Sequence, residues 1–321
     1  MKNFEELSAA FSDYFNKRHF PAQPESLYEP AEYFLSMGGK RIRPVMCLMG
    51  NELFDEIGAD AYQAAIAIEL FHNFTLIHDD IMDKAPLRRG LQTVHEKYSQ
   101  PTALLAGDVM LVVAYNYLNT INSVHLRRIV QLFNKTAMQV CEGQQIDMDF
   151  ENRAFVSMEE YLGMIELKTS VLLAASLQMG AILGGAGEGN QQLLYQFGLN
   201  IGLAFQVQDD FLDAFGDPAR FGKKVGGDIL ANKKTFLMIK AWEEASEPQA
   251  AALEQLRKMD GEEKINGTLA IYKECGVDSW AQELKQTYLN KALERLDDIA
   301  VLSSRKKSLE QLAGFLIKRD Y

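Results

Sequence analysis

The sequence predicts an all-α protein. Helix-forming residues and apolar positions at helical spacing run through almost the whole chain, and β-branched runs that alternate in twos are hard to find. The breaks between helical stretches are also short. A first helix is expected over about residues 3–18, stopped by Pro21 and Pro24, and a second over about 28–36, stopped by the Gly38-Gly39 pair. The third, about 44–56, opens on Pro44, whose fixed φ suits a first helical turn. The fourth, about 59–83, ends in the Pro86 to Gly90 turn. Helices follow over about 101–120, 124–150 and 158–184, the last closed by Gly184 to Gly189. Next comes about 189–214, which runs up to the glycine-punctuated stretch from Gly216 to Gly227. The remaining helices fall over about 232–245, which ends before Pro248, and then 249–259, 263–274, 277–299 and 304–318. No break has the length or composition of a domain linker, so residues 1–321 are expected to form one domain.

Composition narrows the function classes. With 47% hydrophobic residues the chain can bury a sizeable core. A net charge of −11 argues against a general nucleic-acid binder, which needs a basic face. Cys47, Cys141 and Cys275 stand far apart with no CxxC pair, so neither a disulfide framework nor a structural zinc site is expected, and a reducing cytoplasm fits. The amino-terminal stretch MKNFEELSAAFSDYFNKRHF lacks the pattern of an export signal. The most apolar windows, 61–82 and 170–187, contain between them Glu69, two histidines, two aspartates and Gln178, costly groups in a bilayer, so buried core helices are expected rather than an integral membrane segment.

One short pattern occurs twice: DDIMD at 79–83 and DDFLD at 209–213, each after a strongly apolar stretch. On a helix Asp79 and Asp83 share a face, with Asp80 one step round. Carboxylates crowded at a helix C-terminal end repel one another and oppose the dipole, so the cluster calls for a cation. Mg²⁺ suits it, because it binds through one or two carboxylates and completes its shell with water and phosphate. Basic residues lie nearby in sequence. Gly38-Gly39-Lys40-Arg41-Ile42-Arg43-Pro44 brings three cations into a helix start, Arg88-Arg89 follow the first motif, and Lys223, Lys224, Lys233 and Lys234 follow the second. These suit phosphate groups. A P-loop is excluded, since the Gly216 to Gly222 spacing is wrong and Lys224 stands where Ser or Thr is needed; HExxH and GxSxG are absent too. His78 reads as a hydrogen-bonded core residue.

Taken in order, GGKRIRP at 38–44, HNFTLIHDDIMD at 72–83, PLRRG at 86–90, KTS at 168–170, FQVQDDFLD at 205–213 and GKKVGGD through NKKT at 222–235 closely resemble the trans-isoprenyl diphosphate synthase family, the polyprenyl synthetases. The resemblance implies a single large helical bundle around a deep central cavity, the isoprenoid synthase fold, paired as a homodimer. It implies a head-to-tail condensation of isopentenyl diphosphate with an allylic diphosphate, releasing diphosphate. By similarity Asp79 and Asp83 hold two Mg²⁺ ions and Asp209 a further one, about three in all, with Asp80, Asp210 and Asp213 in support. Arg88, Lys168 and Lys223, assisted by Lys233, would grip the allylic diphosphate. Lys40, Arg43, His72 and Arg89 would bind isopentenyl diphosphate. The Thr169 hydroxyl, the Gln206 side-chain oxygen and the Lys168 carbonyl would face the developing carbocation as dipoles.

Phe74 lies five residues before the first motif, about 7.5 Å deeper along a continuous helix, and Phe71 about 12 Å deeper. In related enzymes an aromatic five positions before the motif accompanies short products. Thr75 follows it here and no insertion widens the motif. Geranylgeranyl diphosphate is the expected product, with farnesyl or longer chains as alternatives. A terpene cyclase would not need Lys40, Arg43 and Arg89. A non-catalytic partner subunit could have lost metal ligands, yet both motifs are whole.

Overall fold

The computed structural model describes residues 1–216 and 225–317. The chain divides into two compact units: Met1–Phe133 with Ser176–Gln192, and Asn134–Ala175 with Leu193–Tyr321.

In the first unit, α1 (Phe4–Phe15) starts at a capping box in which Asn3 and Glu6 each accept from the other's backbone N–H, and it buries Leu7, Phe11 and Phe15 at four-residue intervals. α2 (Glu25–Ser36) begins after Pro24. α3 (Ile42–Glu52) begins after Arg41, which holds a left-handed backbone at φ 52°. The 24-residue α4 (Ala59–Met82) lies along α6 (Gln100–Leu118), the most extensive helix pairing of this unit. Small residues make that approach possible: Ala64, Ala65, Ala67, Ala103, Ala106 and Ala114 are buried, and a Cβ on Gly107 would stand 2.4 Å from the His78 ring. Between these helices come the two-residue strands β1 (Leu87–Arg88) and β2 (Leu91–Gln92) and the short helix α5 (Val94–Lys97). The turn of this hairpin has positive φ at both Arg89 and Gly90, as tight antiparallel turns favour. Neither the hairpin nor α5 was expected, because two to four residues are too few to show a period.

In the second unit, α7 (Ser123–Glu151) supplies its later turns, and α8 (Met158–Ile165) opens on a Ser157–Glu160 capping box. A five-residue π-turn, Glu166–Ser170, interrupts what the sequence presents as one helix over 158–184 and leads into α9 (Val171–Leu183). α10 (Glu188–Phe215) carries the second aspartate motif. Smaller helices follow: α11 (Gly227–Leu230), α12 (Phe236–Glu244), α13 (Glu247–Leu256), α14 (Gly261–Glu274), α15 (Val277–Asp297) and α16 (Ser303–Ile317). The core of this unit gathers Tyr161, Val207, Phe236, Leu237, Tyr272 and Val277. Two buried lysines satisfy orphan carbonyls at helix ends, Lys264 on Leu230 and Lys306 on Asp297.

By length and composition alone, Gln100–Leu118 and Met158–Leu183 are apolar enough to cross a membrane. The second has 72% of its apolar window buried within the protein, as core helices do, and the first 39%. Gln100–Leu118 is the more exposed of the two, with Leu104, Leu105 and Val112 at its surface around the exposed Asp108.

Candidate active site

The last turn of α4 answers the crowding of its aspartates by separating their jobs. Asp79 and Asp83 stand one turn apart, the first partly buried and the second exposed, while Asp80 is buried. Arg88, delivered by β1, closes on Asp80 in a bidentate ion pair: its Nε donates to both carboxylate oxygens at 2.8 and 2.9 Å, and Nη2 lies 2.7 Å away. One of the three charges is thereby neutralised inside the protein. The other two remain toward solvent, an oxygen donor set that fits Mg²⁺ with its water and phosphate ligands. Among the described residues no three His, Cys, Asp or Glu side chains form a ready-made metal cage.

Three of the four predicted isopentenyl diphosphate contacts come together in this unit. Arg43, in the first turn of α3, donates through Nη1 to His72 Nε2 at 3.0 Å. His72 is held well below its ordinary pKa by burial and then by Arg43, Arg89, Arg88 and Arg41, so it is neutral, accepts at Nε2 and carries its proton on Nδ1. Arg89 donates to the Gly38 carbonyl, and Gly39 has no side chain where the Arg89 guanidinium lies: a Cβ there would come within 3.0 Å. Lys40 is exposed on the same loop.

Arg41 departs from the sequence expectation. It was grouped with Lys40 and Arg43 as three cations suited to phosphate, but its side chain turns inward to a buried ion pair with Glu69 and stacks 4.5 Å over the Phe15 ring. Glu69 in turn accepts from the Asn73 amide at 3.0 Å. Arg41 makes these contacts from a left-handed backbone just before α3. Sequence reading missed Glu69 and Asn73 as anchors of the basic loop.

Phe74 is partly buried and belongs to a line of rings. It lies 4.8 Å from His78 and 5.7 Å from Phe71, which meets Phe133 at 5.2 Å, which meets Tyr115 at 5.2 Å. His78, partly buried, donates through Nε2 to the Leu104 carbonyl, 3.1 Å away.

In the second unit the π-turn shapes the site. A π-turn adds one residue to a helical turn and shifts the side chains that follow. Here it presents Lys168 and Thr169. The Lys168 ammonium meets Asp147 at 2.5 Å, and α7 passes so near that a Cβ on Gly143 would lie 2.4 Å from the Lys168 backbone nitrogen. The Thr169 hydroxyl donates to Gln206 Oε1 at 3.3 Å. Gln206 Nε2 donates to Asp210 Oδ1 at 2.8 Å, and the Tyr161 hydroxyl donates to Asp210 Oδ2 at 2.5 Å. Burial, then the negative charge of Asp228, pushes the Asp210 carboxyl up to about 7. Asp213 accepts from the Asp228 backbone N–H at 3.0 Å, and Lys233 stands 3.4 Å from the Asp228 carboxylate. Asp210, Asp213, Asp228, Lys233 and Thr235 line one small pocket with Tyr272. Asp209 lies on the same helix, partly buried. Lys223 and the terminal residues 318–321 lie outside the described residues. Asp147 and Tyr161 were not foreseen; each meets its partner across 21 or 49 positions, and nothing local in the sequence marks such a pairing.

A family model described as polyprenyl synthetase matches residues 24–274. The chain belongs to the polyprenyl synthetase family. A geranylgeranyl pyrophosphate synthase from Geoglobus acetivorans is 40% identical over 302 residues, covering 93% of this chain and 92% of that one. A geranylfarnesyl diphosphate synthase from Natronomonas pharaonis is 35% identical over 317 residues, covering 93% and 92%. Among solved structures, a geranylgeranyl pyrophosphate synthase is 42% identical and superposes with a TM-score of 0.94 over 99% of both chains. This polyprenyl synthetase is therefore a trans-prenyltransferase with the all-α isoprenoid synthase fold, and the relatives named above are geranylgeranyl and geranylfarnesyl diphosphate synthases.

Proposed function

We propose that the enzyme condenses isopentenyl diphosphate head-to-tail with an allylic diphosphate, in a Mg²⁺-dependent reaction, and that its main product is geranylgeranyl diphosphate. The observation that carries this reading is the cationic set around neutral His72. Arg43 and Arg89 meet the basic loop while Arg88 is committed to the aspartate motif, so the chain has separate groups for two diphosphates. A cyclase, which ionises a single diphosphate, has no use for the first set.

Lys40, Arg43, His72 and Arg89 bind isopentenyl diphosphate, and Arg88, Lys168, Lys223 and Lys233 bind the allylic diphosphate. A guanidinium has five N–H donors, so Arg88 can hold Asp80 and still donate to a phosphate oxygen. Asp79, Asp83 and Asp209 would hold Mg²⁺, about three ions in the substrate complex, whose positive charge stabilises the departing diphosphate. Thr169, Gln206 and the Lys168 carbonyl offer dipoles to the positive allylic carbon, which no full cation could accompany. The released diphosphate takes up the proton lost when the new double bond forms.

The relatives' names support a geranylgeranyl product, and the partly buried Phe74 ring supports a limit on chain growth. The exposed apolar side chains Leu104, Leu105 and Val112 on α6 support a homodimer. Cys47, Cys141 and Cys275 are free thiols, which supports a cytoplasmic location.

The two-diphosphate reading predicts a selective defect. Arg43→Ala and Arg89→Ala should raise KM for isopentenyl diphosphate at least about tenfold and leave KM for the allylic primer within about twofold. Equal losses for both substrates would sink the division of labour. Phe74→Ala should lengthen the product mixture seen by mass spectrometry; an unchanged mixture removes Phe74 as the floor.

A further inference from the structure

Gln206 reads as an ordinary polar residue of α10, but its amide has only one sensible orientation. Asp210 is one turn along the same helix, and its Oδ1 lies 2.8 Å from one end of the Gln206 amide. There Gln206 Nε2 donates to the ionised carboxylate, so the amide end facing Asp210 is the NH₂ group. The carbonyl oxygen Oε1 is consequently turned the other way, to the Thr169 hydroxyl at 3.3 Å. Asp210 is itself held by the Tyr161 hydroxyl at 2.5 Å, and both Tyr161 and Asp210 are buried.

We propose that Tyr161 is a positioning residue for prenyl transfer: acting through Asp210, it fixes the Gln206 amide so that its oxygen, rather than its NH₂ group, is presented beside Thr169. The inference rests on the reading that Gln206 and Thr169 stabilise the allylic carbocation. An amide turned round would place a partial positive charge where a partial negative one is needed. The rotation barrier is a side-chain torsion only, so nothing but its partners prevents the turn.

Three features make the arrangement one-directional. The Tyr161 phenol is held well above its ordinary pKa, by burial and then by the Asp210 charge, so it remains a donor. The Asp210 oxygens are thereby divided, Oδ2 to Tyr161 and Oδ1 to Gln206. Tyr161 is set by α8, whose Ser157–Glu160 cap fixes the start of that helix, and its ring packs 6.4 Å from Phe236 in the core of this unit. None of these contacts touches a diphosphate-binding cation, so binding and orientation are separable.

Tyr161→Phe removes one hydroxyl and keeps the ring. The expected result, in the Mg²⁺-loaded enzyme with both substrates, is a kcat lower by about tenfold, the size of one hydrogen bond to a charged group. KM for either diphosphate should stay within about twofold, and a larger share of allylic diphosphate should end as free prenyl alcohol. The decisive readout is coupling. If Tyr161 works through Gln206, then Gln206→Ala and the double variant Tyr161→Phe/Gln206→Ala should have the same kcat. Should Tyr161→Phe fail to accumulate as folded protein, Asp210→Asn carries the same comparison with Gln206→Ala. Unchanged kcat in Tyr161→Phe, or losses that multiply in the double variant, would overturn the proposal. A wild-type enzyme that condenses no prenyl substrate would instead overturn the reading on which it rests.

Discussion

The two aspartate motifs have the same spacing and nearly the same sequence, yet the protein treats their middle aspartates in opposite ways. Asp80 is buried against a guanidinium: Arg88 reaches it with two nitrogens. Asp210 is buried among neutral donors, the Tyr161 hydroxyl and the Gln206 amide, and no cation touches it within the described hydrogen bonds and ion pairs. An opposite charge at contact distance favours a carboxylate, whereas burial and the negative charge of Asp228 disfavour it, more than the Tyr161 and Gln206 donors offset. Hence Asp210 is pushed up to about 7. A repeated motif is not a repeated environment; the outer aspartates can share one task while the inner ones anchor different machinery.

The contrast extends across the two sets of residues. The first unit uses ion pairs with buried carboxylates, Arg41–Glu69 for its basic loop and Arg88–Asp80 for its aspartate motif, while the second orients Thr169 toward Gln206 through a neutral hydrogen bond. The buried pairs should be the more fragile. Arg41→Met strands Glu69, whose side chain is only 4% exposed, and should cost about 3–5 kcal/mol in urea-induced unfolding. Adding Glu69→Leu to Arg41→Met should recover a large part of that loss; a double variant less stable than the single one would contradict the ion-pair account. Arg88→Leu comes next, at about 2–3 kcal/mol, because Arg88 is partly solvated and its loss strands Asp80 less completely. Activity should fall with it, by far more than the stability loss explains.

Asp210 gives a pH signature instead. Its carboxyl titrates near 7 in the folded chain against an ordinary value of 3.8, so over that interval the native state holds a proton that the unfolded state has released. Stability contributed by the protonated group is complete below the ordinary value and is lost as pH rises through about 7. Asp210→Asn should flatten the slope of melting temperature against pH across that window in chelator-treated enzyme. An identical slope in the two proteins would place the titration elsewhere. The smallest effect should come from Asp147→Asn. Its pair with Lys168 is about a third exposed on both sides, so stability should change by less than about 1 kcal/mol in thermal unfolding.

Much of this was legible in the sequence. The long helices show their period, and DDIMD and DDFLD announce themselves by recurring. The fate of Arg41 was not legible, since three cations in GGKRIRP look alike until folding pairs one of them with the buried Glu69. The π-turn at Glu166–Ser170 was hidden because α and π turns draw on the same residues, and the apolar pattern of 158–184 runs straight through it. Tyr161 was hidden for another reason: a tyrosine in an apolar helix reads as core, and only folding shows that its hydroxyl ends on Asp210.

Incubating the purified enzyme with labelled isopentenyl diphosphate and each allylic primer, with and without Mg²⁺, tests the central claim most directly. The account predicts geranylgeranyl diphosphate as the main labelled product, abolished by chelator and restored by added Mg²⁺, with Asp79→Asn and Asp209→Asn each reducing incorporation at least about a hundredfold. No incorporation from any primer, or incorporation indifferent to chelator and to both substitutions, would contradict it.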